Sequence, residues 1–489
     1  MAGSCENDVG IKYEEKDSGS SGKKVFIPRH IGLLGVIAHT VGAVIGTGIF
    51  ISPTGVLRGA GGSVGLAFIF WIVCGIIQTC GCFIYTELAL MFRKSGGEFT
   101  FMLEGWGRAV GFLKLWTIVM VNASSVAIQA HVVSQYLLTP FFQCVDPPVI
   151  SLRFISFCAI LVLVFVNCVS ANLPTRFAGF FTVTKTFGLL MVIVTGIHNL
   201  IQGRTIYLQN AFEGSNVDVK TIPLAIYSGM FAFGGWDVVM SFTEEVKRPE
   251  RNIPLGVSLS MATITILYIM ANIAYFTLLS PQDVLQSEAV AADYSVLALG
   301  KRWSWLIWLF VALSAMGNLN SNTCKRGRQV FAASREGLFP EITAMLNVRY
   351  NTPIPAILTL LLSLVYLMET RVLSLLRYVM FIEAIFDTMT VAVLPYFRWK
   401  HPDLERPFRA PLVMVVIYMV GQIFITGMSF YLDPVRKSLG LFIVLIGLPV
   451  YFFFFHDRFR LKSIQPYSHK MTRFLQRLFN CIHQEKKTY

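Results

Sequence analysis

Charge is scarce in this 489-residue chain: Asp, Glu, Lys and Arg make up 14% of it, while hydrophobic residues make up 54%. Soluble globular proteins carry about 25% charged residues, so this composition excludes a protein whose whole surface faces water. Apolar runs of about 20 residues, long enough to cross a bilayer core, recur along most of the sequence. Helices satisfy their own backbone hydrogen bonds, and the runs are too long for barrel strands. We therefore predict an all-α polytopic membrane protein.

The sequence also lacks paired cysteines, clustered histidines and catalytic motifs. Nine Cys and eight His are scattered without metal-ligand spacing, so we expect no metal and no cofactor. There is no His-Glu-x-x-His or Gly-x-Ser-x-Gly motif, which argues against a membrane enzyme. The net charge of +13 is spread over short loops, so no nucleic-acid partner is predicted.

The apolar segments predict about twelve membrane spans. The loops on one side carry more Lys and Arg than those on the other, and the positive-inside rule assigns the richer side to the cytosol. Both termini then face the cytosol, and the polar stretch 1–28 is predicted to be a disordered tail. The predicted spans are 31–57, 64–91, 109–139, 151–170, 176–201, 221–246, 254–279, 303–331, 354–369, 373–397, 411–431 and 438–456.

Two of these spans contain glycine clusters at mid-depth, Gly42–Phe50 in the first and Phe231–Trp236 in the sixth. Glycine weakens a helix interior by about 1 kcal/mol relative to alanine, and paired glycines allow the backbone to unwind. Irregular backbone at membrane depth persists only where it lines a cavity or is buried in protein. Interrupted helices at corresponding positions of two repeats indicate a transporter binding site. The alternative is close helix packing through small residues.

A lysine, Lys185, lies about 10 residues inside the fifth span, too deep to reach the membrane surface easily. An intramembrane lysine needs a partner, a cavity or neutrality. Its ammonium could replace a bound sodium ion or take part in a proton step. A purely structural lysine bonded to helix-end carbonyls is compatible with either role.

The predicted topology places Cys144 in the outer loop between spans three and four. A lone cysteine on the oxidising side is either a free thiol or one half of an intermolecular disulfide. The glycosylation sequon Asn122-Ala123-Ser124 falls inside span three and should be unmodified. An unglycosylated surface membrane protein often forms a complex with a glycosylated partner.

Several motifs between about residues 30 and 460 resemble the light chains of heteromeric amino-acid transporters. These are the L-type and cystine/glutamate-type exchangers of the amino acid–polyamine–organocation superfamily. The motifs are Gly46–Pro53, Lys94–Glu98, Phe231–Trp236, Thr243–Glu245, Asn252–Pro254, Ser334–Gly337 and Arg406–Phe408.

The resemblance implies a LeuT-like fold that exchanges amino acids without sodium. Two inverted five-helix repeats, 29–201 and 202–397, would be followed by two helices in 398–460 and a cytosolic tail, 461–489. Lys185 would fill the sodium site. Cys144 would form the disulfide to a single-span glycosylated heavy chain at the plasma membrane.

The resemblance also implies a substrate site between spans one and six. Backbone at Gly46, Thr47 and Gly48, with Ile45 beside it, would take the substrate carboxylate. Carbonyls at Phe231, Ala232 and Gly234 would take the amino group. Phe231 would also close the site from outside, and Gly234 would leave room for the substrate side chain. The remaining predicted pocket residues are Asn122, Phe233, Trp236 and Asp237.

Departures from the family pattern concern buried charge. Asp237 replaces a frequent asparagine, and Asn122 replaces an arginine of several relatives. In span ten, Glu383 stands where relatives have arginine, and Asp387 lies one turn later on the same helix face. In span eight, Lys325 and Arg326 replace apolar or small residues. We hypothesise that these bases pair with Glu383 and Asp387, because unpaired intramembrane charges are costly. The alternative is that Lys325 and Arg326 reach the cytosolic surface.

Together these features predict an exchanger of large neutral, possibly aromatic, amino acids. The glycine at Gly234 and its aromatic neighbours favour such substrates, and the absence of the third-span arginine argues against anionic ones. Asp237 keeps a cationic preference as the second hypothesis. A channel requires a continuous lined pore, which two mid-membrane breaks do not indicate.

Overall fold

The computed structural model describes residues 29–142, 147–212, 221–287, 289–368, 372–455 and 465–483. Apart from two three-residue strands, the regular structure of these residues is helical. Nine of their helices are long and apolar enough to cross a membrane, or ten if one bent pair counts as a span. The chain is therefore an all-α polytopic membrane protein.

The helices and strands follow one another in this order: α1 Leu33–Val44, α2 Gly48–Gly59, α3 Val64–Phe92, α4 Glu98–Trp106, α5 Arg108–Trp116, a π-helical turn Thr117–Val121, α6 Asn122–Leu138, a 3₁₀ turn Thr139–Phe141, α7 Val149–Val169, α8 Leu173–Ile201, α9 Ile206–Gln209, α10 Ile222–Phe233, a 3₁₀ helix Trp236–Glu245, α11 Pro249–Tyr275, α12 Pro281–Gln286, α13 Val290–Leu299, α14 Trp305–Arg335, a 3₁₀ turn Glu341–Ala344, β1 Met345–Asn347, α15 Ile354–Leu358, a 3₁₀ turn Thr359–Leu362, α16 Ser363–Tyr366, α17 Val372–Lys400, α18 Leu412–Leu432, α19 Pro434–Leu445, α20 Gly447–Phe454, α21 Gln465–Phe479 and β2 Cys481–His483.

Two predicted spans differ from an ordinary apolar membrane helix. The eighth corresponds to α14, which is 31 residues long but carries polar residues such as Asn322, Lys325 and Arg326 in its second half. The ninth corresponds to the short apolar helix Ile354–Tyr366. Length and composition therefore do not establish the predicted number of twelve, which stays a prediction.

The broken helices lie inside the bundle. Helix α1 packs against α8 and α11, α2 packs against α10, and α14 packs against α6 and α8. Large apolar side chains on outer helices, such as Phe154, Phe165 and Val194, are exposed, as expected of surfaces that face lipid. The interrupted helices are thus surrounded by other helices and not by lipid.

One end of the bundle ties the start of the first span to the end of the sixth. Ile31 forms a parallel bridge with Val246, and Lys247 donates its backbone N–H to the carbonyl of Ile31 at 2.8 Å. At the C-terminus, β1 and β2 pair antiparallel over three residues each.

Candidate functional site

The first span is interrupted where its glycines predict a break. Helix α1 ends at Val44 and α2 begins at Gly48, and the two axes differ by 49°. Ile45 leaves the helical conformation with ψ of 87°. The three residues Ile45, Gly46 and Thr47 therefore expose backbone in the middle of the span.

The sixth span is interrupted at its glycine pair. Helix α10 ends at Phe233, Gly234 is extended, and Gly235 has φ of +101°, a conformation that favours glycine. A Cβ on Gly235 would also lie 2.9 Å from the carbonyl oxygen of Ala43. The chain resumes as the 3₁₀ helix Trp236–Glu245, so the second half of this span is wound differently from the first.

The two breaks are in direct contact. A Cβ on Gly48 would lie 2.6 Å from the Cα of Ala232, so only glycine permits this approach. The hydroxyl of Tyr268 in α11 donates toward the carbonyls of Val44 at 3.1 Å and Ala232 at 3.0 Å. One side chain thus connects the last turns of the two interrupted helices.

The carbonyls of the first break are bonded by side chains from other helices. The Lys185 ammonium in α8 donates to the carbonyls of Gly42 and Ile45, both at 2.6 Å. Ser314 in α14 donates toward the carbonyls of Ile45 and Gly46 at 3.1 and 3.2 Å. Lys185 is completely buried, and these carbonyls are the partners that a lysine at this depth requires.

Other backbone groups at the breaks remain open. Among the described residues, nothing accepts a hydrogen bond from the N–H groups of Thr47, which precedes α2, or of Gly48 and Ile49, its first two residues. At the second break, the Phe231 carbonyl accepts from the N–H of Gly234 at 3.2 Å, whereas no described donor reaches the Gly234 carbonyl. The first break offers donors and the second offers an acceptor, which suits the carboxylate and ammonium of an amino acid.

The predicted pocket side chains divide into two groups. Thr47, Phe231 and Gly234 are partly exposed and border the space beside the breaks. Phe233 and Trp236 are buried in the packing around that space. Phe233 contacts Trp71 and Tyr268 through its ring, and Trp236 donates its indole N–H to Gln78 at 3.2 Å. The two buried rings support the break, while Phe231 is the aromatic residue available to a bound molecule.

Asn122 begins α6 directly after the π-helical turn, and its amide donates to Glu383 in α17. Glu383 also accepts from the ammonium of Lys114 at 2.7 Å, and Lys114 contacts Glu98 at 2.5 Å. Carboxylate oxygens of Glu98, Glu383 and Asp387 lie within 4.8 Å of one another. Because Lys114 contacts two of these carboxylates, a lysine ammonium already supplies the positive charge that a metal ion would bring.

Our hypothesis that Lys325 and Arg326 pair with Glu383 and Asp387 is wrong for the described contacts. Lys325 forms its ion pair with Asp237, and Arg326 donates to Ser125 at 2.6 Å. Glu383 takes Lys114 instead, as described above, and Asp387 accepts from the hydroxyl of Tyr85 at 3.1 Å. The physical reason is the packing of the helices: at the position of Lys325, α14 lies against the start of the 3₁₀ helix, where Asp237 is.

The alternative that both basic residues reach the surface also needs correction. Arg326 is 7% exposed, and the Lys325 side chain is 17% exposed, so neither projects freely into solvent. The carboxylate of Asp237 is neutralised by Lys325 and is no longer a free site for a cationic substrate.

Two further ion pairs, which the sequence analysis missed, join α14 to the second half of span six. Arg328 contacts Glu245 at 2.9 Å, and Arg335 contacts Glu244 at 3.3 Å. The adjacent acids Glu244 and Glu245 after an apolar segment were a signal that basic partners were needed. Spacing along the chain does not assign those partners to α14.

Cys144 lies outside the described residues, so its predicted disulfide stays a prediction. The described cysteines are free thiols, and several of them are buried within the bundle: Cys74, Cys80, Cys82 and Cys324.

Interrupted helices that meet inside a bundle of membrane-crossing helices identify the class of this protein as a polytopic membrane transporter. Comparison with known proteins agrees with this class. Residues 31–455 match the family model described as amino acid permease. The chain belongs to the amino acid permease family.

Curated relatives span nearly the whole chain. The cystine/glutamate transporter of Homo sapiens is 36% identical over 95% of this chain and 93% of its own length. The large neutral amino acids transporter small subunit 2 of Mus musculus is 39% identical over 90% of this chain and 83% of its own length. The b(0,+)-type amino acid transporter 1 of Mus musculus is 34% identical over 97% of this chain and 98% of its own length.

Proposed function

We propose that this protein is a sodium-independent exchanger of large neutral amino acids. The observation that carries the proposal is the contact between the two breaks, with open N–H groups at the start of α2 and an open carbonyl at Gly234. A substrate's carboxylate would bind the N–H groups of Thr47 and Gly48, beside Gly46 and Ile45, and its ammonium would bind carbonyls of the second break. Alternating access would move the surrounding helices about this site.

Lys185 supports transport without sodium. Its ammonium bonds the carbonyls of Gly42 and Ile45, oxygen atoms of the kind that coordinate sodium in transporters with broken helices. A fixed positive charge at these oxygens leaves no favourable place for a second cation. The proposed exchange therefore proceeds without a sodium gradient.

Charge near the breaks favours neutral substrates over charged ones. Lys325 neutralises Asp237, which weakens the hypothesis of a cationic preference. Asn122 is a neutral amide that donates to Glu383, so it supplies no positive charge for an anionic side chain. An added Cβ at Gly234 would lie 3.4 Å from the carbonyl oxygen of Phe231, which is an ordinary van der Waals contact. The side chain of Phe231 is partly exposed, and an aromatic ring at this position favours an apolar substrate side chain.

The wider assembly is also part of the proposal. One relative of this chain, from Mus musculus, is named as a small subunit, which supports a larger partner for this chain. We propose a LeuT-like arrangement of twelve spans. The protein would be located in the plasma membrane, with both termini in the cytosol. Cys144 would form the disulfide to a single-span glycosylated heavy chain.

The test measures uptake of labelled leucine in cells that express the chain with and without a heavy chain. Uptake should persist without sodium, should be inhibited by leucine, phenylalanine and tyrosine, and should increase when the cells are preloaded with these amino acids. Arginine and glutamate should leave uptake unchanged. Inhibition by arginine would favour the cationic hypothesis, and uptake that does not saturate would remove the carrier mechanism.

A matched variant tests the assembly separately from the transport. In non-reducing gel electrophoresis, the disulfide-linked complex with the heavy chain should give a band that disappears on reduction. Cys144→Ser should abolish this band. Cys158→Ser, a partly buried thiol of α7, is the control and should leave that band intact. A persistent reducible complex in Cys144→Ser would contradict the assigned disulfide and leave the transport proposal standing.

A further inference from the structure

Helix α21, Gln465–Phe479, follows the last membrane-crossing helix and has two different apolar surfaces. One surface contacts the protein: Leu475 and Phe479 pack against Ile342, Met345 and Cys481. The backbone beside it is fixed as well, because β1 and β2 pair directly after α21. This side of the helix is therefore accounted for by contacts within the chain.

The second apolar surface, which we name the α21 stripe, consists of Met471, Phe474 and Leu478. These side chains are 61%, 64% and 62% exposed. Their spacing of three and four residues places them on one face of the helix. Three large apolar side chains on one face, exposed to this degree, require an apolar environment that the described chain does not supply.

Basic side chains border the α21 stripe. Lys470, Arg473 and Arg477 are exposed and repeat with the same spacing, one position before each residue of the stripe. Helix α21 contains no acidic residue. An exposed apolar face flanked by Lys and Arg is the pattern of a helix that lies in the plane of a membrane containing anionic lipids.

The position of α21 in the chain favours the membrane over a soluble partner. Helix α20, which belongs to the last candidate span, ends at Phe454, and α21 begins at Gln465. The connection from Phe454 to Gln465 can reach at most about 40 Å, so α21 cannot be far from the bilayer surface. Connectivity therefore keeps the bilayer surface within reach of the α21 stripe.

We propose that α21 is an in-plane membrane helix that binds anionic phospholipid through Lys470, Arg473 and Arg477 and inserts the α21 stripe into the leaflet. The C-terminal end of α21 holds the segment after α14: Asn347 donates to the carbonyl of Phe479 at 2.7 Å, and Val348 donates to the carbonyl of Asn480 at 3.0 Å. Lipid bound at the stripe therefore anchors the end of α14, the helix that contacts the second half of span six. The leaflet is the cytosolic one in the orientation proposed above.

The test introduces a photo-crosslinking phenylalanine analogue into the full-length transporter at position 474 or, as the control, at position 476. Gln476 is half-buried and is rotated by about 200° from Phe474 around the helix axis. The protein is reconstituted in nanodiscs of phosphatidylcholine containing phosphatidylserine, and adducts are identified by mass spectrometry. We expect lipid adducts at position 474 to exceed those at position 476 about tenfold.

A second comparison tests the charge. In phosphatidylserine nanodiscs, Arg473→Gln and Arg477→Gln should each lower the lipid adducts at position 474 about fivefold. In pure phosphatidylcholine the same substitutions should have no effect. Both substitutions are at exposed positions, and an unchanged elution volume in size-exclusion chromatography shows that each variant is folded.

Three results would overturn the proposal. Equal lipid adducts at positions 474 and 476 would mean that the stripe does not enter the leaflet. Adducts to a second copy of the chain, in place of lipid, would assign the stripe to a protein interface. An adduct yield that is indifferent to phosphatidylserine would remove the anionic lipid. The yield of lipid adducts is measured independently of amino-acid transport. Failure of this proposal is therefore distinguishable from failure of the proposed function.

Discussion

In the first interrupted span, side chains from α8, α11 and α14 bond the carbonyls, and the N–H groups that begin α2 are open. In the sixth span, the Gly234 carbonyl is open, and the segment that follows is held to α14 by ion pairs. The first break is stabilised at its carbonyl end, whereas the second is stabilised beyond the break. This asymmetry leaves open groups of opposite polarity at two breaks that contact each other.

The difference also assigns different roles to the surrounding helices. Lys185 acts on the first break alone, and the ion pair between Lys325 and Asp237 acts on the second alone. Tyr268 contacts both. Substitutions at these positions can therefore test the first break, the second break and the link between them separately.

The largest effect is expected from Lys185→Ala. Hydrogen bonds to charged groups contribute about 1.5–3 kcal/mol each, and this substitution removes two of them at the first break. We expect sodium-independent leucine uptake, normalised to protein at the cell surface, to fall about a hundredfold. Lys301→Ala, in the exposed turn after α13, is the control and should retain uptake. Full activity of Lys185→Ala would show that the first break does not depend on this ammonium.

An intermediate effect is expected at the ion pair beyond the second break. Breaking a buried pair leaves one charge uncompensated, so Asp237→Lys or Lys325→Asp alone should lower leucine uptake at least about tenfold. The double variant with exchanged charges should recover much of the loss, because the pair is restored in reverse.

The control exchange uses residues that are not partners. Glu383→Arg combined with Arg326→Glu should give no rescue, since Glu383 pairs with Lys114 and Arg326 with Ser125. Rescue in this second exchange, without rescue in the first, would contradict the described pairing.

The sequence predicted the positions of the breaks better than the partners of the charges. Glycine weakens a helix locally, so Gly46–Gly48 and Gly234–Gly235 predict the two breaks even when the fold is not known. The need of Lys185 for oxygen partners also followed from its depth in the span. The bundle and its apolar spans were likewise predictable from composition and run length.

Charge pairing could not be predicted in this way, because it depends on which helix faces meet. Lys114 lies 269 residues from Glu383, and Lys325 lies 88 residues from Asp237. Each buried acid had several bases within the same stretch of membrane, and spacing along the chain does not choose among them. Chemical plausibility suggested spans eight and ten, whereas packing selected Asp237 and Lys114.

The smallest of the three effects is expected from Tyr268→Phe, which tests the link between the breaks. The substitution removes one buried hydroxyl and leaves the carbonyls of Val44 and Ala232 without that donor. Leaving a buried acceptor unsatisfied costs about 1–3 kcal/mol, so we expect leucine uptake to fall about fivefold to tenfold. Tyr275, two turns later in the same helix, is equally buried, and its hydroxyl has no partner within the described part of the chain. Tyr275→Phe should therefore transport leucine at the wild-type rate and unfold at the same temperature or slightly above it. Equal losses in the two variants would mean that general packing of α11, and not the hydroxyl of Tyr268, keeps the two breaks together.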